Sequence, residues 1–265
     1  MFFRIPSLGL LILLTGTGHQ IRGQAGAPLQ TPPPDPKATQ NVLLTKAVEL
    51  YNQKDYLAAM PIFRRLADAG NVEAELYVGV MYGGGQGVPA DYTQAQLWFR
   101  KAAAAGDGQA MCNLGALYYQ GLGVRKDYAA ARTWFRDAAA AGNGQGMFNL
   151  GMLYQDGLGA PVDYAEALSW FRKAAEAGNE RAMNSIGLYY EKGRGVPMDY
   201  QAALRWYREA AANGNDAAMF NIGMLYENGL GVFLNKDQAI QWYKQARAAG
   251  NGEAAERLRR LGVRD

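Results

Sequence analysis

A period of 36 residues constrains this chain more than any other feature of its 265 residues. One glycine column keeps that spacing without insertion or deletion: Gly70, Gly106, Gly142, Gly178, Gly214 and Gly250. Tryptophan, a second glycine and tyrosine follow in the same register at Trp98, Trp134, Trp170, Trp206 and Trp242, at Gly79, Gly115, Gly151, Gly187 and Gly223, and at Tyr82, Tyr118, Tyr154, Tyr190 and Tyr226. Agreement in so many columns indicates an array of equivalent structural units.

Each unit has the pattern of a helical hairpin. The segment 109–120 has an apolar stripe at helical spacing, which predicts a first helix, helix A. After a glycine-bracketed loop, Asp127 is placed to cap the amino end of a second helix, helix B, and Gly142 to end it. The N-cap role falls equally to Asp55, Asp91, Asp163, Asp199 and Asn235. Because no segment alternates with the period of a strand, we predict an all-α fold.

The glycine inside helix A predicts a packing constraint. Glycine in a helix interior costs about 1 kcal/mol relative to alanine, and Gly115 has four equivalents in the other units. We expect helix B to approach closely there, with its Trp or Phe filling the space that a Cβ atom would need. The strict phase of the tryptophan column predicts a buried position between helices.

The predicted architecture is a right-handed α/α superhelical solenoid of 36-residue helix-loop-helix repeats, with about 13 helices. A single unit cannot bury its apolar faces alone, but stacked units cover one another. We divide the chain into a signal peptide (1–27), a proline-rich linker (28–37), an N-terminal capping hairpin (38–70), five repeats within 71–251 (71–106, 107–142, 143–178, 179–214 and 215–250) and a C-terminal capping helix (252–265).

The first 27 residues have the pattern of an export signal. Arg4 precedes the apolar run LGLLILL at 8–14, and small residues follow where a signal peptidase would cut, after Ala25 or Ala27. The apolar run is too short to cross a bilayer, which needs about 20 apolar residues. An uncleaved anchor is the alternative. We therefore expect an exported protein, periplasmic or secreted, without stable membrane insertion.

Composition excludes several classes of activity. The one histidine, His19, lies in the predicted signal peptide, so the mature chain has no Ser-His-Asp or Cys-His arrangement and no histidine-ligated zinc site. Removing Arg4 and Arg22 leaves 25 basic against 24 acidic residues, a net charge of +1, which does not favour nucleic acid. We expect no enzymatic activity, no cofactor and no metal.

The repeat columns resemble the Sel-1-like repeat family, a subclass of the tetratricopeptide-type α/α solenoids. In one unit the matching residues are Ala182, Ile186-Gly187, Tyr190, Gly193-Arg194-Gly195-Val196, Asp199, Ala203, Trp206-Tyr207, Ala210-Ala211 and Gly214. The first hairpin resembles a tetratricopeptide unit. The resemblance implies an adaptor or scaffold, and in exported bacterial members a role in signalling, cell-envelope processes or virulence. A cysteine-rich branch with reported β-lactam binding or hydrolysis is disfavoured, because this chain has one cysteine.

The leading functional hypothesis is a scaffold that binds a protein or peptide through the concave surface lined by helix A. One outward column contains amides suited to an extended peptide backbone: Tyr77, Asn113, Asn149, Ser185 and Asn221. Adaptable apolar contacts are predicted from Phe148, Met152, Phe220 and Met224, and Tyr119 is a further candidate. The alternative is that the amides bond neighbouring helices and that the Phe and Met side chains fill the core between repeats.

Two other functional classes stay open. Exposed Tyr and Trp side chains would stack on sugars in a binder of cell-envelope glycan or peptidoglycan. The other class is a hydrolase, either β-lactamase-like or a glycosidase with Glu191 and Glu227 as its carboxylates. The glycosidase is disfavoured because Glu191 and Glu227 are expected on a solvated surface. Ser169 and Ser185 are the only serines after the signal peptide.

Two remaining features have plain structural interpretations. Cys112 is expected to be a small packed hydrophobic residue, with a disulfide between chains as the alternative. The basic cluster Arg257, Arg259 and Arg260 is interleaved with acidic residues, which predicts a solvated capping helix.

Overall fold

The computed structural model describes residues 36–263, and within that range the chain forms thirteen α-helices and no strand. The helices are α1 Pro36–Asn52, α2 Tyr56–Asp68, α3 Val72–Gly84, α4 Tyr92–Ala104, α5 Gly108–Gln120, α6 Tyr128–Ala140, α7 Gly144–Asp156, α8 Tyr164–Glu176, α9 Glu180–Lys192, α10 Tyr200–Ala212, α11 Asp216–Asn228, α12 Lys236–Ala248 and α13 Gly252–Arg260. The predicted all-α fold of helix-hairpin repeats is confirmed. The signal peptide and most of the linker lie outside the described residues.

The chain divides into two compact units, one ending at Ala95 and one beginning at Gln96. In the first unit, α1 and α2 are joined by a tight turn in which Lys54 adopts a left-handed φ of 64°. An aromatic cluster fills the core of this unit, because the ring of Tyr77 stacks on that of Phe63 at 4.4 Å and meets Tyr51 edge-on at 5.1 Å. The predicted N-cap is confirmed, since the carboxylate of Asp55 accepts from the backbone N–H of Ala58.

The second unit repeats one local plan along its length. Asp127 caps α6 by accepting from the backbone N–H groups of Ala129 and Ala130, and Asn143 caps α7 in the same way. The first glycine after each A helix, such as Gly121, takes the left-handed conformation that ends it. These short-range signals recur in every repeat, so the helices keep their register.

The glycine inside each of the A helices α5, α7, α9 and α11 makes room for an aromatic ring of helix B. A Cβ atom on Gly115 would lie 2.5 Å from the ring of Phe135, and one on Gly151 would lie 2.7 Å from the ring of Phe171. Tyr207 and Tyr243 occupy the same place opposite Gly187 and Gly223. The predicted close approach of helix B to this glycine is confirmed. In these four repeats, the ring that fills the space belongs to the residue directly after the tryptophan.

The expected burial of the tryptophan column is wrong for four of its five members. Trp98 is buried, whereas Trp134, Trp170, Trp206 and Trp242 are half-buried. The Nζ atom of Lys173 lies 4.0 Å from the ring centre of Trp170, and the indole N–H donates to Glu166 at 2.8 Å. This tryptophan therefore lies at the edge of the core, and Phe171 is fully buried beside it.

Successive repeats of the second unit pack through their B helices. Apolar side chains of α7, α8 and α9 form one buried cluster, which includes Phe148, Phe171 and Ile186. Arginines of the B helices reach the tyrosine column of the next A helix, as Arg172 does when it donates to the Tyr190 hydroxyl at 3.1 Å. The same contact recurs between Arg100 and Tyr118 and between Arg208 and Tyr226. Each repeat is therefore completed by its neighbour.

Candidate functional site

The mid-helix residues of the A helices α5, α7, α9 and α11 are all buried or half-buried. The predicted binding columns lie on these helices, but they are not equally exposed. Cys112, Asn113, Phe148 and Asn149 are buried, whereas their equivalents Asn184, Ser185, Phe220 and Asn221 are half-buried. The outward face of the A helices is thus closed on α5 and α7 and more open on α9 and α11.

The expected exposure of Asn113 and Asn149 is wrong. Glutamine side chains one turn earlier cover them, since Gln109 donates to Asn113 Oδ1 at 3.1 Å and Gln145 donates to Asn149 Oδ1 at 2.8 Å. The Asn149 amide also lies 3.6 Å from the Cys112 Sγ atom of the preceding repeat. These amides bond within and between helices, as the alternative interpretation held.

Tyr77 and Phe148 were also expected to be exposed, and both are buried. In the first unit, burial raises the pKa of the Tyr77 hydroxyl to about 12, with a smaller contribution from nearby Glu73. The Phe148 ring packs 5.6 Å from that of Phe171 and is covered by the Arg181 guanidinium 4.6 Å from its centre. Neither ring is available to a partner in this conformation.

A polar pair lies at the more open end of this face. The Asn221 amide donates to Asn184 Oδ1 at 3.0 Å, across two adjacent A helices. No other hydrogen bond engages these two side chains within residues 36–263, so one N–H₂ group and one carbonyl oxygen remain available. Ser185, next to Asn184, is half-buried and completes a small polar patch.

The apolar candidates are half-buried. Met152 packs against the α7–α9 cluster, and Phe220 and Met224 pack against the C-terminal cluster of α12 and α13. The Phe220 ring lies 5.3 Å from that of Tyr243 and, like Met224, keeps an exposed part. Tyr119 meets Tyr128 edge-on at 5.4 Å and lies near the loop that follows α5. Binding by these four side chains stays a prediction.

Each of the two glutamates considered as a hydrolytic pair is bound by a tyrosine of its own repeat. Glu191 accepts from the Tyr207 hydroxyl and Glu227 from the Tyr243 hydroxyl, both at 2.6 Å. Their side chains are only 17 % and 16 % exposed, so the expected solvated surface is wrong. Arg257, expected to be solvated, binds Glu227 at 2.8 Å and thereby joins α13 to α11.

Cys112, the one cysteine of the chain, is buried. Burial raises the pKa of the Cys112 thiol to about 12, and the contact with Asn149 lowers it less. The thiol therefore stays protonated at neutral pH, as expected of a packed hydrophobic residue.

Residues 36–263 contain no cluster of three or more His, Cys, Asp or Glu side chains suited to a metal ion. Within that range, no helix is both long and apolar enough to cross a membrane.

Comparison with known families identifies the repeat. The Sel1 repeat model matches residues 72–107, 108–143, 144–179, 180–215 and 216–251. The chain belongs to the Sel1 repeat family. This is a family of protein–protein interaction scaffolds whose fold is generally non-enzymatic. No curated protein matches the sequence significantly.

Solved structures share this repeat fold. A Sel1 repeat protein from Oxalobacter formigenes is 34 % identical over 80 % of this chain and 84 % of its own, with a TM-score of 0.72. A protective antigen of uropathogenic Escherichia coli strains, displaying an SLR fold, is 36 % identical with a TM-score of 0.73. That match covers 84 % of this chain and 49 % of the antigen, so this Sel1 repeat chain corresponds to about half of the antigen.

Proposed function

We propose that this Sel1 repeat protein is an exported scaffold that binds an extended segment of a protein partner on the α9 and α11 face. The observation that supports it best is the Asn184–Asn221 pair, which retains one donor group and one acceptor. An extended backbone offers the complementary acceptor and donor at each residue. The pair is thus suited to backbone recognition that does not depend on the sequence of the partner.

Apolar side chains beside the amide pair would supply most of the affinity. Phe220 and Met224 are half-buried on α11, and Leu188 is half-buried on α9. Met is flexible and its thioether is polarizable, so it adapts to different partner side chains. A peptide lying across α9 and α11 would therefore contact amides and apolar groups together.

Export and a role in envelope regulation or complex assembly are part of this proposal. The support is the sequence pattern of residues 1–27, with Arg4 before the apolar run at 8–14. Fractionation of cells that produce the full chain, followed by sequencing of the amino terminus of the mature protein, tests it. A mature chain that begins after Ala25 or Ala27 outside the cytoplasm is the expected result.

Photo-crosslinking from the proposed face tests the binding role. A crosslinking amino acid at Ser185 or Met224 should capture one discrete partner in the native envelope, and a peptide of that partner should then bind the purified chain. Asn184→Ala combined with Asn221→Ala should weaken binding of this peptide by roughly tenfold, which corresponds to about 1.4 kcal/mol.

A matched variant separates binding from folding. Gln241 is an exposed amide on α12, in the B-helix layer, so Gln241→Ala should leave peptide affinity and melting temperature unchanged. Unchanged affinity in the Asn184/Asn221 variant would exclude this face as the binding site. A reduced melting temperature with intact binding would give the pair a structural role only.

A further inference from the structure

Two neighbouring A helices, α5 and α7, bury asparagine amides that are not fully hydrogen-bonded. Asn113 is 4 % exposed and Asn149 is 3 % exposed. The Nδ2 group of Asn113 has no hydrogen-bond partner within residues 36–263, and that of Asn149 contacts the Cys112 Sγ atom, a weak acceptor. Because a buried donor without an acceptor destabilises the folded state, stability alone does not explain these two asparagines.

The unused donor of Asn113 lies at the end of an ordered chain of hydrogen bonds. The backbone N–H of Gly146 donates to Asn143 Oδ1 at 2.7 Å, and the Asn143 amide donates to Gln109 Oε1 at 3.2 Å. The Gln109 amide in turn donates to Asn113 Oδ1 at 3.1 Å. Since a backbone group starts the chain, it determines which end of each following side chain donates. The group left over on Asn113 is therefore a donor.

Gln109 and Gln145 cover the two buried asparagines and are here called the lids. They occupy one repeat position, one helical turn before Asn113 and Asn149, and both are half-buried. Gln145 donates to Asn149 Oδ1 at 2.8 Å, and no hydrogen bond engages its own carbonyl oxygen within the described part of the chain. Rotation of a lid about its side-chain bonds breaks one or two hydrogen bonds and leaves the helix intact.

The more open part of the face has no such lids. The equivalent positions on α9 and α11 are occupied by Arg181 and Ala217. The Arg181 guanidinium lies 4.6 Å from the centre of the Phe148 ring, and Ala217 has no polar side-chain atom that could bond Asn221. The helices α5 and α7 also approach each other more closely than α7 and α9, or α9 and α11. Closure is therefore specific to α5 and α7.

The chemistry of the covered surface favours one class of ligand. The helix α5 contains no charged residue, and the one charged residue of α7 is Asp156, at its last position. Once uncovered, Asn113 and Asn149 each offer a donor and an acceptor, one repeat apart. An uncharged polypeptide backbone offers the complementary carbonyl oxygen and N–H at each residue, whereas a charged ligand would find no opposite charge on these mid-helix positions.

We propose that the α5 and α7 face is a second part of the peptide site and that Gln109 and Gln145 open to admit the partner. The segment bound on α9 and α11 continues across α7 and α5 as an extended, uncharged chain. It displaces the lids, and the amides of Asn113 and Asn149 donate to its carbonyl oxygens. This inference rests on the proposed function, because it assigns the same partner to an adjoining surface.

Alkylation of the Cys112 thiol measures opening of the lids without any ligand. Cys112 is the one cysteine of the chain and is buried against Asn149. A buried thiol reacts through local opening, so its rate of reaction with iodoacetamide increases with the open fraction. Gln109→Ala combined with Gln145→Ala should raise this rate by roughly tenfold or more, since a minor open state is populated to at most about 10 %.

A matched variant controls for the loss of an amide elsewhere. Gln241 is exposed on α12, so Gln241→Ala should leave the alkylation rate of Cys112 unchanged. Melting temperatures are measured in parallel. Faster alkylation that is matched by a large loss of thermal stability would give the two glutamines a structural role only and overturn the proposal.

Peptide affinity tests whether opening serves binding. The probe is a synthetic peptide of the partner segment that is crosslinked from Ser185 or Met224. A closed state weakens binding in proportion to its population. Removal of both lids should therefore raise the affinity for this peptide severalfold, at most by the factor measured for Cys112 alkylation. Adding Asn113→Ala to the lid variant should reduce this gain.

The lids and the α9 and α11 site fail in different ways. An unchanged alkylation rate or an unchanged peptide affinity in the lid variant would overturn the lids, while weaker binding by the Asn184/Asn221 variant would still support the first site. Unchanged affinity in the Asn184/Asn221 variant would instead exclude the α9 and α11 site, and the extension that starts from it would be wrong as well.

Discussion

Glycine serves two different purposes in this repeat, and the two are distinguished residue by residue. Gly142 ends helix B with a φ of 80°, and a Cβ atom there would meet nothing within 4 Å. Gly151 lies inside a helix, where a Cβ atom would collide with the Phe171 ring. The first requirement is conformational and the second is steric, although both belong to the same 36-residue pattern.

These two purposes predict different responses to substitution. Gly151→Ala should lower the free energy of unfolding by about 1 to 3 kcal/mol through overpacking, and Gly142→Ala by about 1 kcal/mol through backbone strain. Phe171→Leu should partly relieve the cost at Gly151 and should add to the cost at Gly142. Urea denaturation of the single and double variants measures both couplings, and additivity at Gly151 would contradict the steric explanation.

Burial also distinguishes the paired aromatic residues of helix B. Phe171→Ala should cost about 3 to 5 kcal/mol, because its ring is fully buried against α7 and α9. Trp170→Ala should cost less, about 1 to 2 kcal/mol, because its ring is only half-buried. Chemical denaturation compares the two, with the exposed Ser169→Ala as control. A larger loss of stability in Trp170→Ala than in Phe171→Ala would show that the tryptophan, and not the phenylalanine, is the main core residue of helix B.

At the scale of helices, the hydrogen bonds between helix A and helix B differ from repeat to repeat with the aromatic residue that helix B carries. Where helix B carries tyrosine, as in Tyr207 and Tyr243, the residue sixteen positions earlier is glutamate and accepts from the hydroxyl. Where helix B carries phenylalanine, as in Phe171, that earlier residue is Gln155. The extra hydroxyl is thus satisfied by a matched acceptor, which avoids an unpaired polar group in the core.

The contact between α11 and α13 should depend on pH. Burial alone would raise the pKa of the Glu227 carboxyl, but hydrogen bonds from Arg257 and Tyr243 lower it below its ordinary value of 4.5. The ionised carboxylate therefore stabilises the fold above about pH 4.5, and this contribution is lost as the pH falls through the lowered pKa.

Glu227→Gln tests this dependence. The variant should be less stable than the wild type near neutral pH, and the difference should shrink as the pH falls below about 4.5. Thermal unfolding followed by circular dichroism across that range measures it. Glu253→Gln, an exposed carboxyl on α13, is the control and should show no such trend. A difference that is constant with pH would exclude the charged contact.

Sequence predicted the helices better than the binding face, for a physical reason. N-caps such as Asp127 and the glycines that end helices act within a few residues, so their positions determine helix bounds locally. The exposure of Asn149 depends instead on Gln145 and on Cys112 of the preceding repeat. The exposed apolar column of Val162, Met198 and Leu234 was missed, although these residues directly before the N-caps of α8, α10 and α12 are readable in the sequence.

At the scale of the molecule, the exact period makes the repeats of the second unit interchangeable. Each of the A helices α7, α9 and α11 contacts its own B helix and the B helix before it, and the residues at these contacts keep the same columns. Arg136 occupies the position of Arg172, and Phe135 that of Phe171. Removal of one whole repeat should therefore preserve both kinds of contact.

Deletion of residues 144–179 tests this modularity. It places α6 before α9, so Arg136 comes into the position from which Arg172 reaches Tyr190. The shortened chain should keep its helical content per residue and unfold cooperatively in urea, with a smaller denaturant slope because less surface is exposed. Deletion of the half-repeat 144–161 is the control, since it removes an A helix and leaves two B helices in succession. This control should lose cooperative unfolding, and equal behaviour of the two deletions would show that register between repeats does not determine the fold.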